Sequence, residues 1–381
     1  MPNPHPLTGI RVVELARILA GPWIGQTLAD LGADVIKVES PEGDDTRKWG
    51  PPYIEAEGEK TAAYFHACNR GKRSITADFS TEEGRDVVRR LVADADVVIE
   101  NFKVGGLKKY GLDYESVRAI NPRAIYCSVT GFGQEGPYAN RAGYDFMIQG
   151  MSGIMDLTGA PDGEPQKIGV AFADIFTGLY GVIGIQAALM QRQITGEGQH
   201  VDMALLDCMS GVLANQAMNY LASGVAPRRL GNNHPNIAPY QTFPVSDGHL
   251  IIACGNDAQF GRLAGILGLG DMAGDDLYAT NAARVRNRDS MTKTMEAETR
   301  KFKRDDLLAA LEKAGVPAGP INTVADVFAD PQFAFRKMKI EPQGVPGLRT
   351  PISFSGSDLA LDRRSPKLGE HTDEIRAEIG L

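Results

Sequence analysis

The feature that most constrains this chain is a strand–helix–strand unit near its start. Residues 11–15, RVVEL, are a short run rich in β-branched residues, which predicts a strand. Gly21-Pro22 follows, then WIGQTLADLGA, with apolar residues at helical spacing and Pro22 in the first turn, where a missing N–H costs nothing. Residues 34–38, DVIKV, read as the next strand. Two strands joined by a helix within about thirty residues run parallel, so the unit predicts an α/β fold with a parallel sheet. The turn after the first strand, ARILAGP, lacks the GxGxxG fingerprint, so no nicotinamide or flavin dinucleotide is indicated. Arg17 stands in it, and in open parallel sheets such turns line the binding crevice.

The pattern then repeats. A helix is expected near residues 81–92, a strand at 96–100 running into Asn101, Phe102 and Lys103, then Lys108 and Lys109, and a strand at 124–130 running into GFGQEGPY. Residues 41–72 read as a long polar excursion, functional or disordered. It ends in NRGKRSI, whose Lys72 and Arg73 would meet phosphates or, more commonly, form an exposed basic turn. One helical run covers 205–223, and 225–242 looks like a linker. QTFPVSDGHLIIAC reads as a hairpin turning at Asp247-Gly248, and Gly255-Asn256-Asp257 as a sharp loop before helices. A smaller domain closes near Asn322, and the tail ends in an amphipathic helix. A length of 381 residues suits two domains.

The chemistry concentrates between Arg141 and Gly178, where Tyr144, Asp145 and Asp174 lie among glycines and small apolar residues. Asp174 follows Gly169, Val170, Ala171 and Ala173 and opens an apolar run, 175–190, that reads as a buried helix. A carboxylate there faces the positive end of the helix dipole, which favours its ionised form. In a dry pocket such a group can attack an acyl carbon; a plain N-cap explains the position as well. A net charge of −8 argues against a nucleic-acid surface. Four widely spaced cysteines without a CxxC pair, and no histidine cluster, signal neither a disulfide framework nor a metal site. With no signal pattern and no apolar run of membrane-spanning length, a cytoplasmic protein with reduced thiols and no membrane association is expected.

These residues resemble a known family, the class III CoA-transferases (CaiB/BaiF). The likeness runs the length of the chain, through GIRVVELARILAGP, LGADVIKVE, NRGKRSI, IENF, YGLDY, NPRAIYCSVTGFGQEGP, RAGYD, the Asp174 segment, GNNHPNIAPYQTF, DGHLIIACGNDAQF, GVPAGPIN and LGEHT. The resemblance implies a CoA-transferase in which Asp174 is the nucleophile. The carboxylate would attack an acyl-CoA thioester to give an aspartyl anhydride and CoA thiolate. The thiolate would then form an aspartyl-CoA thioester, and an acceptor acid would reverse the sequence. CoA is then a substrate, and no permanently bound cofactor is implied. A pocket for an anhydride must exclude water, and glycine-rich turns let backbone N–H groups approach an oxyanion.

Carried over residue by residue, the CoA site comprises Leu19, Ala20, Ala77, Asp78, Asn101, Phe102, Lys103 and Lys109, with Tyr144 and Asp145 as its wall. Gly255 and Asn256 match the family's glycine loop loosely and read as well as an ordinary turn; Tyr144 reads also as core packing. An arginine commonly reaching the CoA phosphates is Ser40 here, which leaves Lys37, Arg47 or Lys72 to supply the charge. The family's racemases, an alternative reaction class, have AGHD where this chain has AGYD with Tyr144, and their supporting acid falls at Pro244. A tyrosine is a poor base at neutral pH. A non-catalytic CoA-binding protein is the third reading. Several segments resemble the dicarboxylate branch, so a diacid such as succinate is the expected partner, with Arg17 holding its distal carboxylate or else pairing with CoA phosphate or an acid. The implied fold is a Rossmann-like large domain from both chain ends (1–224 and 326–381) and a smaller α+β domain (225–325), in an interlocked homodimer.

Overall fold

The computed structural model describes residues 4–56 and 58–381. The chain forms two compact units. One comprises the chain up to Ile154, Lys167–Ala222 and Pro331–Leu381; the other comprises Met155–Gln166 and Ser223–Asp330.

The first unit is built on a six-stranded sheet of β1 (Arg11–Glu14), β2 (Asp34–Glu39), β3 (Arg73–Thr76), β4 (Val97–Glu100), β5 (Ile125–Thr130) and β6 (His200–Ala204). Its order is β3-β2-β1-β4-β5-β6 and every neighbouring pair is parallel. The central strands β1, β4 and β5 are mostly apolar because both faces are covered. On one face Ile24 and Leu28 of helix α1 (Ala20–Asp30) join Val12 and Ile99. On the other, Val87, Val88 and Leu91 of α2 (Glu82–Ala93) join Val13, Ile36 and Val98. The strand order reverses between β1 and β4, which is where open α/β sheets open a binding crevice.

Three further helices build the site side: α3 (Asp145–Met151), α4 (Phe172–Thr195) and α5 (Leu205–Gly211). Helix α4 lies close against α1 because Gly178 and Gly181 face it; a Cβ there would collide with Trp23 and Ile24. The sequence reading of 175–190 as a buried helix needs correction, because only part of α4 is buried. Val182, Ile185 and Leu189 are buried, but Leu179, Tyr180, Ile183, Met190 and Ile194 are exposed. Among the described residues α4 alone is long and apolar enough by length and composition to cross a bilayer, a test that the core helix of a soluble protein passes as well. The run at 205–223 is also two helices rather than one, since Ala214, with φ of 46°, starts α6 (Ala214–Ser223) in the left-handed region.

The described residues of the 41–72 excursion form regular elements and bond internally. It holds a 3-10 turn (Asp45–Lys48), a hairpin (Tyr53–Ala56 with Glu59–Ala62) and a short helix (Ala63–His66). Lys72 and Arg73 form neither an exposed turn nor a phosphate site. The fully buried Lys72 Nζ donates to Glu14 Oε1, Pro22 O and Asn69 Oδ1, each at 2.9 Å. Arg73 opens β3 and pairs with Asp34, Glu374 and Glu378, which ties the C-terminal helix (Thr372–Glu378) to the sheet edge.

The second unit carries an antiparallel sheet of β7 (Tyr240–Val245), β8 (Gly248–Ala253) and β9 (Ala318–Pro320), in the order β9-β8-β7. Val245 pairs with Gly248, so the hairpin turns at Ser246-Asp247, one residue before the Asp-Gly the sequence suggested. Phe243, Leu250 and Ile252 pack with Met291, Met295, Leu307 and Leu311 of its helices.

Candidate active site

A cavity of about 290 Å³ opens in the first unit at the carboxyl ends of β1, β4 and β5. Arg17, Leu19 and Ala20 line it from the turn after β1, and Asn101, Phe102 and Lys103 from the turn after β4. Arg141, Tyr144, Asp145 and Asp174 complete the wall. The two turns are sewn together by Asn101, whose Oδ1 accepts from Arg17 N at 2.9 Å and whose Nδ2 donates to Arg17 O at 2.6 Å. Gly131, after β5, meets Gly143 backbone to backbone; a Cβ on either would overlap the other's Cα, so the wall closes only with glycine at both.

The β1 turn is held from behind. Ile18 has φ of 75°, a left-handed geometry unfavourable for a β-branched residue, and its N–H donates to Asp44 Oδ2 at 3.2 Å. Lys37 Nζ lies 3.1 Å from both Asp44 Oδ2 and Glu14 Oε1 and donates to Ala16 O at 2.9 Å. Lys37, Arg47 and Lys72 are thus all buried in internal pairs, Arg47 with Glu39 at 2.7 Å, and none supplies the charge missing at Ser40. Among the described residues, Lys103 and Arg141 are cavity-lining cations with no carboxylate within 4.0 Å. Arg141 stacks 4.4 Å over Tyr138 and was not singled out from sequence, although it begins the RAGYD motif. Arg17 is engaged: its NH1 is 3.5 Å from Asp45 and its guanidinium lies 5.6 Å from the Phe102 ring centre.

Asp174 is the third residue of α4 and does not cap it; the N-cap is Ala171, without a side-chain bond. Its carboxyl is pushed up to about 7, first by burial and then by the negative Asp145. The expectation that the helix dipole favours the ionised form is therefore reversed. The free N–H at that end is taken by Asp145, whose Oδ1 accepts from Ala173 N at 2.9 Å. A carboxylate with a raised pKa is more basic and more nucleophilic than an ordinary one while still substantially ionised at neutral pH.

Other expectations fall elsewhere. Tyr144 is 69% exposed and precedes α3, so it is not core packing. Ala77 and Asp78 follow β3 outside the cavity lining, Asp78 accepting from Ser80 N. Lys109 lies over the Tyr110 ring, also outside the lining. Gly255 and Asn256 belong to the second unit and act locally: Asn256 caps the helix Asp257–Ile266, and Gly255 N donates to Gln259 Oε1. Sequence reading passed over Glu100, at the end of β4. Burial raises its carboxyl to about 7, and its Oε2 accepts from Phe102 N at 2.8 Å, just behind the cavity.

Residues 7–372 match CoA-transferase family III. The chain belongs to that family. It is 61% identical over 388 residues to the succinate–glutarate CoA-transferase of Agrobacterium fabrum, covering 100% of this chain and 97% of the relative. It is 40% identical over 382 residues to the succinyl-CoA:glutarate CoA-transferase of Mus musculus, with 98% and 86% covered. A crystal structure of a CaiB/BaiF family protein from Brucella suis superposes with a TM-score of 0.91 at 76% identity, covering 99% of this chain and all of that one. The protein is a CoA-transferase, and the parallel sheet is the α/β framework of its family.

Proposed function

We propose that this CoA-transferase exchanges CoA between two dicarboxylic acids, with succinyl-CoA as donor, by covalent catalysis at Asp174. The observation that carries the reading is a carboxyl group raised to about 7 in a cavity that also holds Arg17, Lys103 and Arg141. The Asp174 carboxylate attacks the thioester carbonyl, the C–S bond breaks, and an acyl–aspartyl anhydride and CoA thiolate result. The thiolate attacks the aspartyl carbonyl and expels succinate. The acceptor carboxylate then attacks the enzyme thioester, and the returning thiolate releases the new acyl-CoA with Asp174 restored.

The turns carrying Leu19, Ala20 and Asn101 through Lys103 hold CoA in this scheme, and Tyr144 flanks the thioester. The second carboxylate of the diacid is read by Arg141, since Arg17 is already near Asp45. The names of the relatives, which pair succinate with glutarate, support diacids as the substrate class. Exposed apolar residues on α4 and α6, among them Ile183, Ile194 and Leu221, support an interlocked homodimer that covers them.

Intact-protein mass spectrometry after incubation with succinyl-CoA, with hydroxylamine added to a parallel sample to cleave any aspartyl thioester, tests the scheme. A CoA-sized adduct on the wild type, absent from Asp174→Ala, is expected. Equal labelling of both proteins, or of neither, overturns it.

A further inference from the structure

Two side chains on α3 hold the segment that carries Asp174. Asp145 Oδ1 accepts from Ala173 N at 2.9 Å, and its Oδ2 accepts from Gln149 Nε2 at 2.8 Å. Gln149 is fully buried, one helical turn further on. Its Oε1 accepts from Ile168 N at 2.9 Å, and its Nε2 also lies 3.4 Å from Val170 O. The stretch 168–173 has no strand to hold it, so these side chains stand in for a sheet ladder. They also take the N–H next to Asp174, a donor that would otherwise favour a carboxylate at the helix N-terminus.

We propose that Asp145 and Gln149 form a clip that fixes the approach to α4 and places a second acidic side chain beside Asp174, making both positioning residues of the transfer reaction. The inference rests on Asp174 being the nucleophile. Asp145 is then not a CoA ligand. Its oxygens are occupied by Ala173 N and Gln149, and its charge would oppose the phosphates of CoA.

The charge argument depends on what else surrounds Asp174. The titratable groups on the elements packed against α4 are Asp30 on α1, Tyr126 and Cys127 on β5, His200 and Asp202 on β6, Asp207 and Cys208 on α5 and Asp145 on α3. Of these, Asp145 is the one that raises Asp174. Tyr64, from the helix Ala63–His66, is itself pushed up to about 12 by burial and then by Asp174, so it stays neutral. The lining cations Arg17, Lys103 and Arg141 are not among the causes of the shift, which is upward.

The consequence is a trade. A nearby like charge keeps the nucleophile basic, and also makes the anhydride and thioester, in which Asp174 carries no charge, more accessible from the carboxylate. Neutralising Asp145 should therefore ease ionisation and slow the attack.

The experiment measures the rate of CoA-adduct formation from succinyl-CoA between pH 5 and 9 for wild type, Asp145→Asn and Gln149→Leu. In Asp145→Asn the side-chain carbonyl still accepts from Ala173 N. The acid limb is expected to move down by roughly one pH unit, with a lower plateau rate and KM changed less than about threefold. Gln149→Leu breaks the clip without removing the charge, so its plateau should fall at least about tenfold with the limb in place. An unmoved limb in folded Asp145→Asn, or a wild-type plateau in Gln149→Leu, overturns the clip. If Asp145→Asn does not fold, the Gln149→Leu plateau decides alone. Absence of any adduct on the wild type would instead sink the nucleophile reading.

Discussion

Replacing Lys72 by methionine should cost this protein about 3–4 kcal/mol of stability. The working is local. The ammonium is fully buried and makes 2.9 Å bonds to Glu14 Oε1, Pro22 O and Asn69 Oδ1. Methionine fills nearly the same volume, so no large cavity opens. The loss is electrostatic: two buried acceptors are left without a donor, at about 1–3 kcal/mol each. Glu14 would add the penalty of an unpaired buried charge, about 3–5 kcal/mol, but Lys37 still lies 3.1 Å away and holds much of that back. At roughly 2–4 °C per kcal/mol for a unit of this size, the melting temperature should fall by about 10 °C. Differential scanning calorimetry at pH 7.5 reads it, with the exposed Lys48→Met as control, expected within about 0.5 kcal/mol of wild type. A Lys72→Met melting temperature within 2 °C of the control would show that the buried cluster is not what holds the sheet edge to α1. Activity should fall too, because Lys72 and Lys37 grip Pro22 O and Ala16 O on either side of the cavity turn.

Two further outcomes follow from the charges around the cavity. Glu100 is raised to about 7 by burial, so the folded protein holds a proton there that the unfolded chain releases above about 4.3. Its contribution therefore weakens stability as pH rises from about 4.3 to 7, and Glu100→Gln should stabilise by up to about 3 kcal/mol at pH 8. That gain should vanish by pH 4, as thermal melts across the range would show; a constant gain would refute the buried-acid account. Arg141→Gln should raise KM for glutarate at least about tenfold while leaving a monocarboxylate acceptor such as butyrate within about twofold, measured by acyl-CoA chromatography. Equal losses for both acids would remove Arg141 from diacid recognition.

The parallel sheet was legible because its central strands are mostly apolar and its first βα turn is punctuated by glycine and proline. The cavity was legible too, since Arg17, Asn101 and Asp174 follow strands or open a helix, and topology brings such ends together. What sequence could not show is pairing at long range. Arg73 looked like a surface cation because its partners Glu374 and Glu378 lie about three hundred residues away. The Asp174 dipole argument failed because folding buries the carboxyl and sets Asp145, from another helix, beside it. Helix α4 looked buried because apolar content does not say which face meets its own chain.

Ile18 carries a lesson for engineering. Its left-handed backbone, unfavourable by about 1–3 kcal/mol, is pinned by Asp44, which belongs to the polar, glycine- and proline-rich stretch at 41–72. Such stretches are ordinarily the first choice for a fusion tag, a reporter insertion or new chain termini. Here the same stretch sets the shape of the β1 turn from behind, so lengthening it near Asp44 would deform the cavity without touching any residue that lines it. Grafts belong elsewhere on this scaffold, at positions whose carboxylates are not already employed in holding another part of the chain.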